Sequence, residues 1–154
     1  DPQKDFEASM YLLTAEQQRN LAPGMRTRYG FPGAGFKKAA VRAAKQTDMA
    51  KVDAKTFFHV VEDMVPIFGE PKMREDMVRL QGGVADIRYR AEFFPWRAVM
   101  NVRFNARLLS PEQLVNLFNL AGFGVGIGER RPEREGAGFG CFHVADSDEV
   151  KQWA

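Results

Sequence analysis

The side chains of this 154-residue chain that could do chemistry include a run of cations in its first third. Between Gln17 and Thr47 seven lysines and arginines occur without one acidic residue. A solvated surface normally mixes both signs of charge, so this run favours contact with phosphate groups. The candidate binding residues on the helix predicted here are Lys37, Lys38, Arg42 and Lys45, of which the last three recur at helical spacing and share one face.

A second group of cations alternates with apolar residues in two segments, 85–93 and 100–108. Alternation of this kind is typical of half-buried strands, and we expect the two segments to pair as an antiparallel hairpin. Its polar face would then carry Arg88, Arg90, Arg103 and Arg107, which suits phosphate and base contacts with a polynucleotide. The alternative is an ordinary solvated sheet face, with Asp86 and Glu92 as local ion-pair partners.

Glycines are concentrated in residues 122–140, which contain seven of the fourteen. The pattern is neither a Rossmann nor a Walker A motif, because a predicted helix precedes the glycines and no Gly-Lys-Ser/Thr follows. We expect an extended loop whose backbone approaches a ligand or a neighbouring subunit, through a strip without Cβ atoms formed by Gly124, Gly126 and Gly128. Gly138 and Gly140 belong to the same close-approach loop. Arg130 and Arg131 are candidate phosphate contacts in this loop. The alternative is a flexible surface connector.

The residues most often used in catalysis are sparse. His59 and His143 lie in predicted strands, where a histidine is more often packed than catalytic, and Cys141 is expected to be a small buried hydrophobe. A single cysteine excludes a disulfide framework and a cysteine-rich zinc site. The sequence therefore predicts no enzyme, cofactor or metal site. A small nuclease using His59 or His143 is a minor alternative.

The elements that must position these residues follow from local patterns. Residues 14–30 and 70–83 are polar and are predicted to be irregular, and a Ser110-Pro111 helix start is followed by an apolar stripe. The remaining predictions are a strand over 6–13, a helix over 36–45, two short strands within 56–69 and a last strand over 138–145. This order predicts a single α+β domain over residues 1–154, with a ferredoxin-like or RRM-like antiparallel sheet, two main helices on one face and a C-terminal glycine-rich loop.

Residues 28–44 contain Phe31-Pro32-Gly33-Ala34-Gly35-Phe36-Lys37, and residues 122–145 contain a helix-following glycine run and Gly138-Phe139-Gly140. The first segment resembles the Pro-Gly-small-small-hydrophobic-Lys element that opens the first helix of RAMP-superfamily proteins, the RNA-binding subunits of CRISPR effector complexes. The second resembles the glycine-rich loop of that superfamily, which runs into a final strand. The chain also resembles small uncharacterised bacteriophage proteins.

The RAMP resemblance implies a non-enzymatic protein that binds RNA or another single-stranded nucleic acid, as a repeating subunit along the strand. Its partners would be the nucleic acid, further copies of the chain or other effector-complex subunits. No apolar run approaches the ~18 residues of a membrane span, so we expect no membrane partner and a cytoplasmic location, in a bacterial or phage-infected cell. The alternative is a phage-encoded protein-interaction, assembly or anti-defence factor that docks through Phe94-Pro95-Trp96 and the glycine loop.

Overall fold

The computed structural model describes residues 1–49, 51–128, 131–135 and 138–153. The helices are α1 (Pro2–Ala8), α2 (Ala15–Arg19), α3 (Gly33–Ala43), α4 (Lys51–Phe57), α5 (Pro111–Leu120), α6 (Pro132–Glu135) and α7 (Ser147–Gln152). The strands are β1 (Tyr11–Leu12), β2 (Tyr29–Pro32), β3 (Phe58–Val60), β4 (Met64–Phe68), β5 (Pro71–Arg79), β6 (Ala85–Phe93), β7 (Arg97–Ala98) and β8 (Val102–Phe104). Helices combined with antiparallel pairs confirm the α+β class.

The chain forms two compact units. Unit 1 contains Asp1–Phe31 and Met64–Val99, and unit 2 contains Pro32–Asp63 and Met100–Ala154. Unit 1 carries a four-stranded sheet in the order β1-β2-β4-β7 and a separate two-stranded ribbon of β5 and β6. Unit 2 carries the two-stranded sheet β3-β8. These pairings do not confirm a ferredoxin-like topology.

The ribbon, β5 with β6, corrects two predictions. Residues 71–79 form a strand where the sequence predicts a loop, and their partner is β6 rather than residues 100–108. Gly82 and Gly83, both with positive φ, close a short turn between these strands, and a short loop costs less entropy to close than a long one. The polar sequence of β5 is tolerated because its exposed side chains reach solvent and its buried carboxylate, Asp76, is hydrogen-bonded by Arg74.

The predicted hairpin of residues 85–93 and 100–108 is therefore wrong. Arg88 and Arg90 lie on β6 in unit 1, whereas Arg103 and Arg107 belong to unit 2. Only Val102–Phe104 of the second segment is a strand, and it pairs with β3, whose prediction as a short strand is confirmed. The four arginines do not form one face of a hairpin.

The strand predicted over residues 6–13 is also wrong. Asp1 accepts a hydrogen bond from Gln3 N–H at 3.1 Å and Pro2 follows it, so the N-cap and first-turn signals favour α1. Only Tyr11–Leu12 is a strand. The stretch predicted to be irregular contains α2, whose capping box joins Thr14 and Gln17.

The core of unit 2 follows its predicted helices closely. On α3, which continues as a 3-10 turn over Ala44–Gln46, the predicted stripe of Phe36, Ala40, Ala43 and Ala44 is buried. The capping box of Ser110 and Gln113 begins α5, and its buried residues are Leu114, Leu117 and Phe118. Edge-on contacts join Phe58 to Phe118 and Phe36 to Phe142, with ring centroids 5.8 and 5.6 Å apart. This packing holds α3 and β3 in fixed positions.

Within the described ranges, no helix is both long enough and apolar enough to cross a membrane.

Candidate functional site

Three nitrogen-bearing side chains meet at the surface of unit 2. The register of β3 with β8 places His59 directly opposite Arg103, so their side chains share one face of the sheet. The packed α3 brings Lys37 Nζ to 2.9 Å from His59 Nδ1. His59 and Arg103 are exposed and Lys37 is half-buried. We call Lys37, His59 and Arg103 the donor cluster.

The contact between Lys37 and His59 fixes which ring nitrogen carries a proton. An ammonium group only donates hydrogen bonds, so Nδ1 of His59 must accept and the ring proton lies on Nε2. The Lys37 ammonium also lies over the Phe58 ring, 5.8 Å from its centroid. The cluster therefore offers an ammonium, an imidazole Nε2–H and a guanidinium as donors. The expectation that His59 is packed in the core is wrong.

The other cations of unit 2 fall into two kinds. Over the described part of the chain, no carboxylate lies within ion-pair distance of Lys37, Lys38, Lys45, Arg103 or Arg107. Arg42 differs, because its guanidinium pairs with the Glu133 carboxylate of α6. Lys38, Lys45 and Arg107 are exposed. The predicted helix-face cations thus lie in one unit, and one of them has a carboxylate partner.

The arginines of the ribbon have different surroundings. Asp76 is only 5% exposed, and Arg90 Nη1 approaches its carboxylate at 3.4 Å. Arg74 donates to both Asp76 oxygens, at 2.9 and 3.0 Å, and to Glu92 at 2.6 Å. Burial lowers the pKa of Arg74, but its hydrogen bonds to Asp76 and Glu92 outweigh burial and raise it, so the guanidinium stays charged. Exposed Arg88 lies 3.8 Å from Asp86.

The glycine-rich segment is not the extended strip that the sequence predicts. Ala121–Val125 form a π-helical turn that continues α5, so Gly124, Gly126 and Gly128 do not lie along one side of a strand. The predicted last strand over 138–145 is a turn followed by irregular backbone. Its hydrogen bonds go to the glycine segment instead: Ile127 N–H donates to Gly140 O at 3.0 Å, and Phe142 N–H donates to Gly122 O at 3.1 Å.

Several of these glycines allow close approach within the chain itself. Gly140 has a φ of +77°, and a Cβ there would overlap the Ile127 carbonyl oxygen. Gly126, with a φ of +73°, faces Pro132 Cδ, which a Cβ would approach to 2.6 Å. Gly138 has open space around its Cβ position. Arg131 donates to Gly128 O at 3.0 Å, and Arg130 lies outside the described residues. A contact of this loop with a ligand stays a prediction.

A groove of about 460 Å³ lies beside the π-helical turn and was not predicted from the sequence. Asn119, Gly122 and Phe123 line one side, and residues 141–144 line the other. The Phe123 side chain is 85% exposed. Cys141 is half-buried rather than fully buried, and exposed His143, 2.8 Å from Glu149 Oε2, is not packed in a strand. In the sequence, the signal for this groove was a phenylalanine between two glycines, Gly122 and Gly124.

The described residues contain no group of three or more His, Cys, Asp or Glu side chains that could hold a metal ion.

Comparison with models of protein families, with curated proteins and with solved structures finds no match to this chain.

Proposed function

We propose that unit 2 binds single-stranded nucleic acid, RNA or DNA, without catalysing a reaction. The observation that carries this proposal is the donor cluster, in which Lys37, His59 and Arg103 present three donors side by side. Phosphate oxygens only accept hydrogen bonds, and charge-assisted hydrogen bonds to them are stronger than neutral ones. A phosphodiester is the polymeric ligand that matches this arrangement.

The neighbouring cations extend the surface on which a strand would lie. Lys38 and Lys45 are exposed on the same unit, as is Arg107 in the turn after β8. These side chains would contribute further phosphate contacts, which set little sequence preference. Arg88 and Arg90 have less support as contacts, because Asp86 and Asp76 already lie beside them.

The proposal does not depend on a family. Membership of the RAMP superfamily, a ferredoxin-like topology, repeated subunits along one strand and a cytoplasmic location all stay predictions from the sequence.

Fluorescence anisotropy with a labelled single-stranded oligonucleotide of mixed sequence tests the proposal, in titrations over a range of salt concentrations. The logarithm of the affinity should fall linearly with the logarithm of salt concentration, by about 0.7 for each phosphate neutralised. Arg103→Gln and Lys37→Gln should each weaken binding and make this slope shallower by about 0.7. Lys4→Gln, which removes an exposed cation from α1 in unit 1, is the matched control. Absence of binding at low salt would contradict the proposal.

A protein-interaction or assembly role is the second candidate, and a different region favours it. Apolar side chains near the tip of the ribbon are exposed, including Met77, Val84 and Ile87. Contiguous exposed apolar surface often marks a site of protein contact. This candidate predicts that oligonucleotides fail to bind at low salt, so the same titration distinguishes the two functions.

A further inference from the structure

The exposed ring of Phe123 lies on a π-helical turn that is partly buried and closed by a backbone hydrogen bond. Its neighbours Gly122 and Val125 are buried, and Gly126 N–H donates to Ala121 O at 2.7 Å to close the π-helical turn. A Cβ on Gly122 would overlap the Phe142 carbonyl, so the turn packs directly on the opposite wall of the groove. Single π-helical turns inside helices are frequent at functional sites. The fold therefore holds a large apolar ring in solvent beside a groove.

The groove also contains polar groups whose roles are set by their existing bonds. Asn119 Oδ1 accepts from Val144 N–H at 2.7 Å. Because a backbone N–H only donates, this contact fixes the orientation of the amide and leaves its NH₂ as a donor. His143, which lines the same groove, contacts the Glu149 carboxylate through Nε2 at 2.8 Å. A carboxylate accepts, so Nε2 of His143 donates and Nδ1 is the ring nitrogen left for another partner. An amide donor and an imidazole nitrogen thus accompany an aromatic ring.

The π-helical turn beside this groove packs against α3. The nearest atom to a Cβ placed on Gly124 would be Gln46 Nε2 at 3.6 Å, and Gln46 follows the exposed Lys45. Phe36 on the same helix contacts Phe142 of the groove wall edge-on. A strand whose phosphates follow α3 would bring its bases within reach of Phe123.

We infer that this groove binds one nucleobase of the single strand, with the base stacked on Phe123 and its edge facing Asn119 and His143. The inference rests on the proposed function, because the phosphate contacts bring the strand to the groove. An aromatic ring beside a cationic track is the arrangement by which proteins hold single strands with little sequence preference. A base suits the groove better than an aliphatic group, since a base edge satisfies both the amide NH₂ and the imidazole nitrogen.

The experiment compares two labelled oligonucleotides of equal length and charge, one with normal bases and one in which abasic sites replace them. The wild-type protein should bind the normal strand about tenfold more tightly, the size expected of one stacked base. Phe123→Ala should remove this preference, whereas Phe123→Trp should retain it. Phe94→Ala, which truncates an exposed phenylalanine in unit 1, is the control and should behave as the wild type. Exposed Phe123 is not a core residue, and equal melting temperatures would confirm that the variants fold.

The results of this comparison distinguish failure of the base site from failure of the proposed function. Equal affinity of the wild type for both strands, with a normal salt slope, would overturn the groove as a base site and leave the phosphate contacts supported. It is also the result expected if an apolar side chain of a protein partner occupies the groove. A base preference that survives in Phe123→Ala would overturn the role of this ring. Failure of both strands to bind at low salt would overturn the inference and the proposed function together.

Discussion

The ribbon of unit 1 and the surface of unit 2 both carry cations, but their neighbours differ. In the ribbon, Arg74 and Arg90 point to the same carboxylate, Asp76, and their side chains are 24% and 17% exposed. In unit 2, Lys37 contacts His59 and Arg103 lies opposite His59 on the neighbouring strand, and no carboxylate of the described residues lies within ion-pair range of either cation.

This difference indicates that the arginines of the ribbon stabilise the fold, whereas the cations of the donor cluster are available to bind a ligand. Arg74 and Arg90 face each other across the two strands, where like charges repel. The Asp76 carboxylate accepts hydrogen bonds from both guanidinium groups and offsets this repulsion. A phosphate could bind there only by displacing a buried carboxylate at hydrogen-bond distance. Among the described residues the donor cluster has no such competitor, so a phosphate would gain its contacts there without breaking an ion pair.

The largest effect is expected for Asp76→Ala in the ribbon. Removing this carboxylate leaves Arg74 and Arg90 opposed and partly desolvated, which should cost about 3 kcal/mol of unfolding free energy. Urea denaturation measures the loss, with Asp86→Ala, at an exposed carboxylate, as the control. Oligonucleotide affinity should not fall, measured at a temperature where the variant is folded. A fall in affinity beyond that of the control would show that the ribbon takes part in binding.

Charge reversal on the two regions should give the next largest effect. Arg103→Glu combined with Arg107→Glu should weaken oligonucleotide binding about 30-fold, since each lost phosphate contact costs roughly 1 kcal/mol. The matched control is Arg79→Glu combined with Arg88→Glu, which makes the same change of charge on the ribbon. Anisotropy titrations at one salt concentration measure both. Equal losses in the two double variants would mean that only net charge matters, which contradicts a local site.

The smallest effect is expected for a change at Glu133, because this carboxylate pairs with a cation of unit 2 as the carboxylates of the ribbon do. Its carboxylate pairs with Arg42, so Glu133→Gln should release this guanidinium for phosphate and raise affinity about threefold, as expected of a pair worth less than 1 kcal/mol. Glu112→Gln, at an exposed acid in the first turn of α5, controls for the general change in charge. The same gain in both variants would show that Arg42 makes no specific contact.

The sequence by itself determined elements whose signals lie within a few residues of one another. The alternation over 85–93 predicts β6 with its observed bounds, the Ser110 capping box predicts the start of α5, and the alanine-rich stripe predicts the buried face of α3. Each depends on local geometry, where period and capping reflect nearby backbone groups. The N-cap residue Asp1 and the following Pro2 are also a local signal, and they indicate the start of α1 where a strand is predicted.

Only the tertiary structure decided which elements pair and which charges meet. Residues 71–79 lack apolar alternation, so nothing local indicates that they would form a strand beside β6 and place Asp76 between two arginines. The meeting of Lys37, His59 and Arg103 likewise depends on strand register and helix packing, which join residues far apart in the chain. A charge pattern read along the sequence shows which side chains are ionic. Whether a charged side chain is paired with an opposite charge depends on its neighbours in space, and the tertiary structure determines those neighbours.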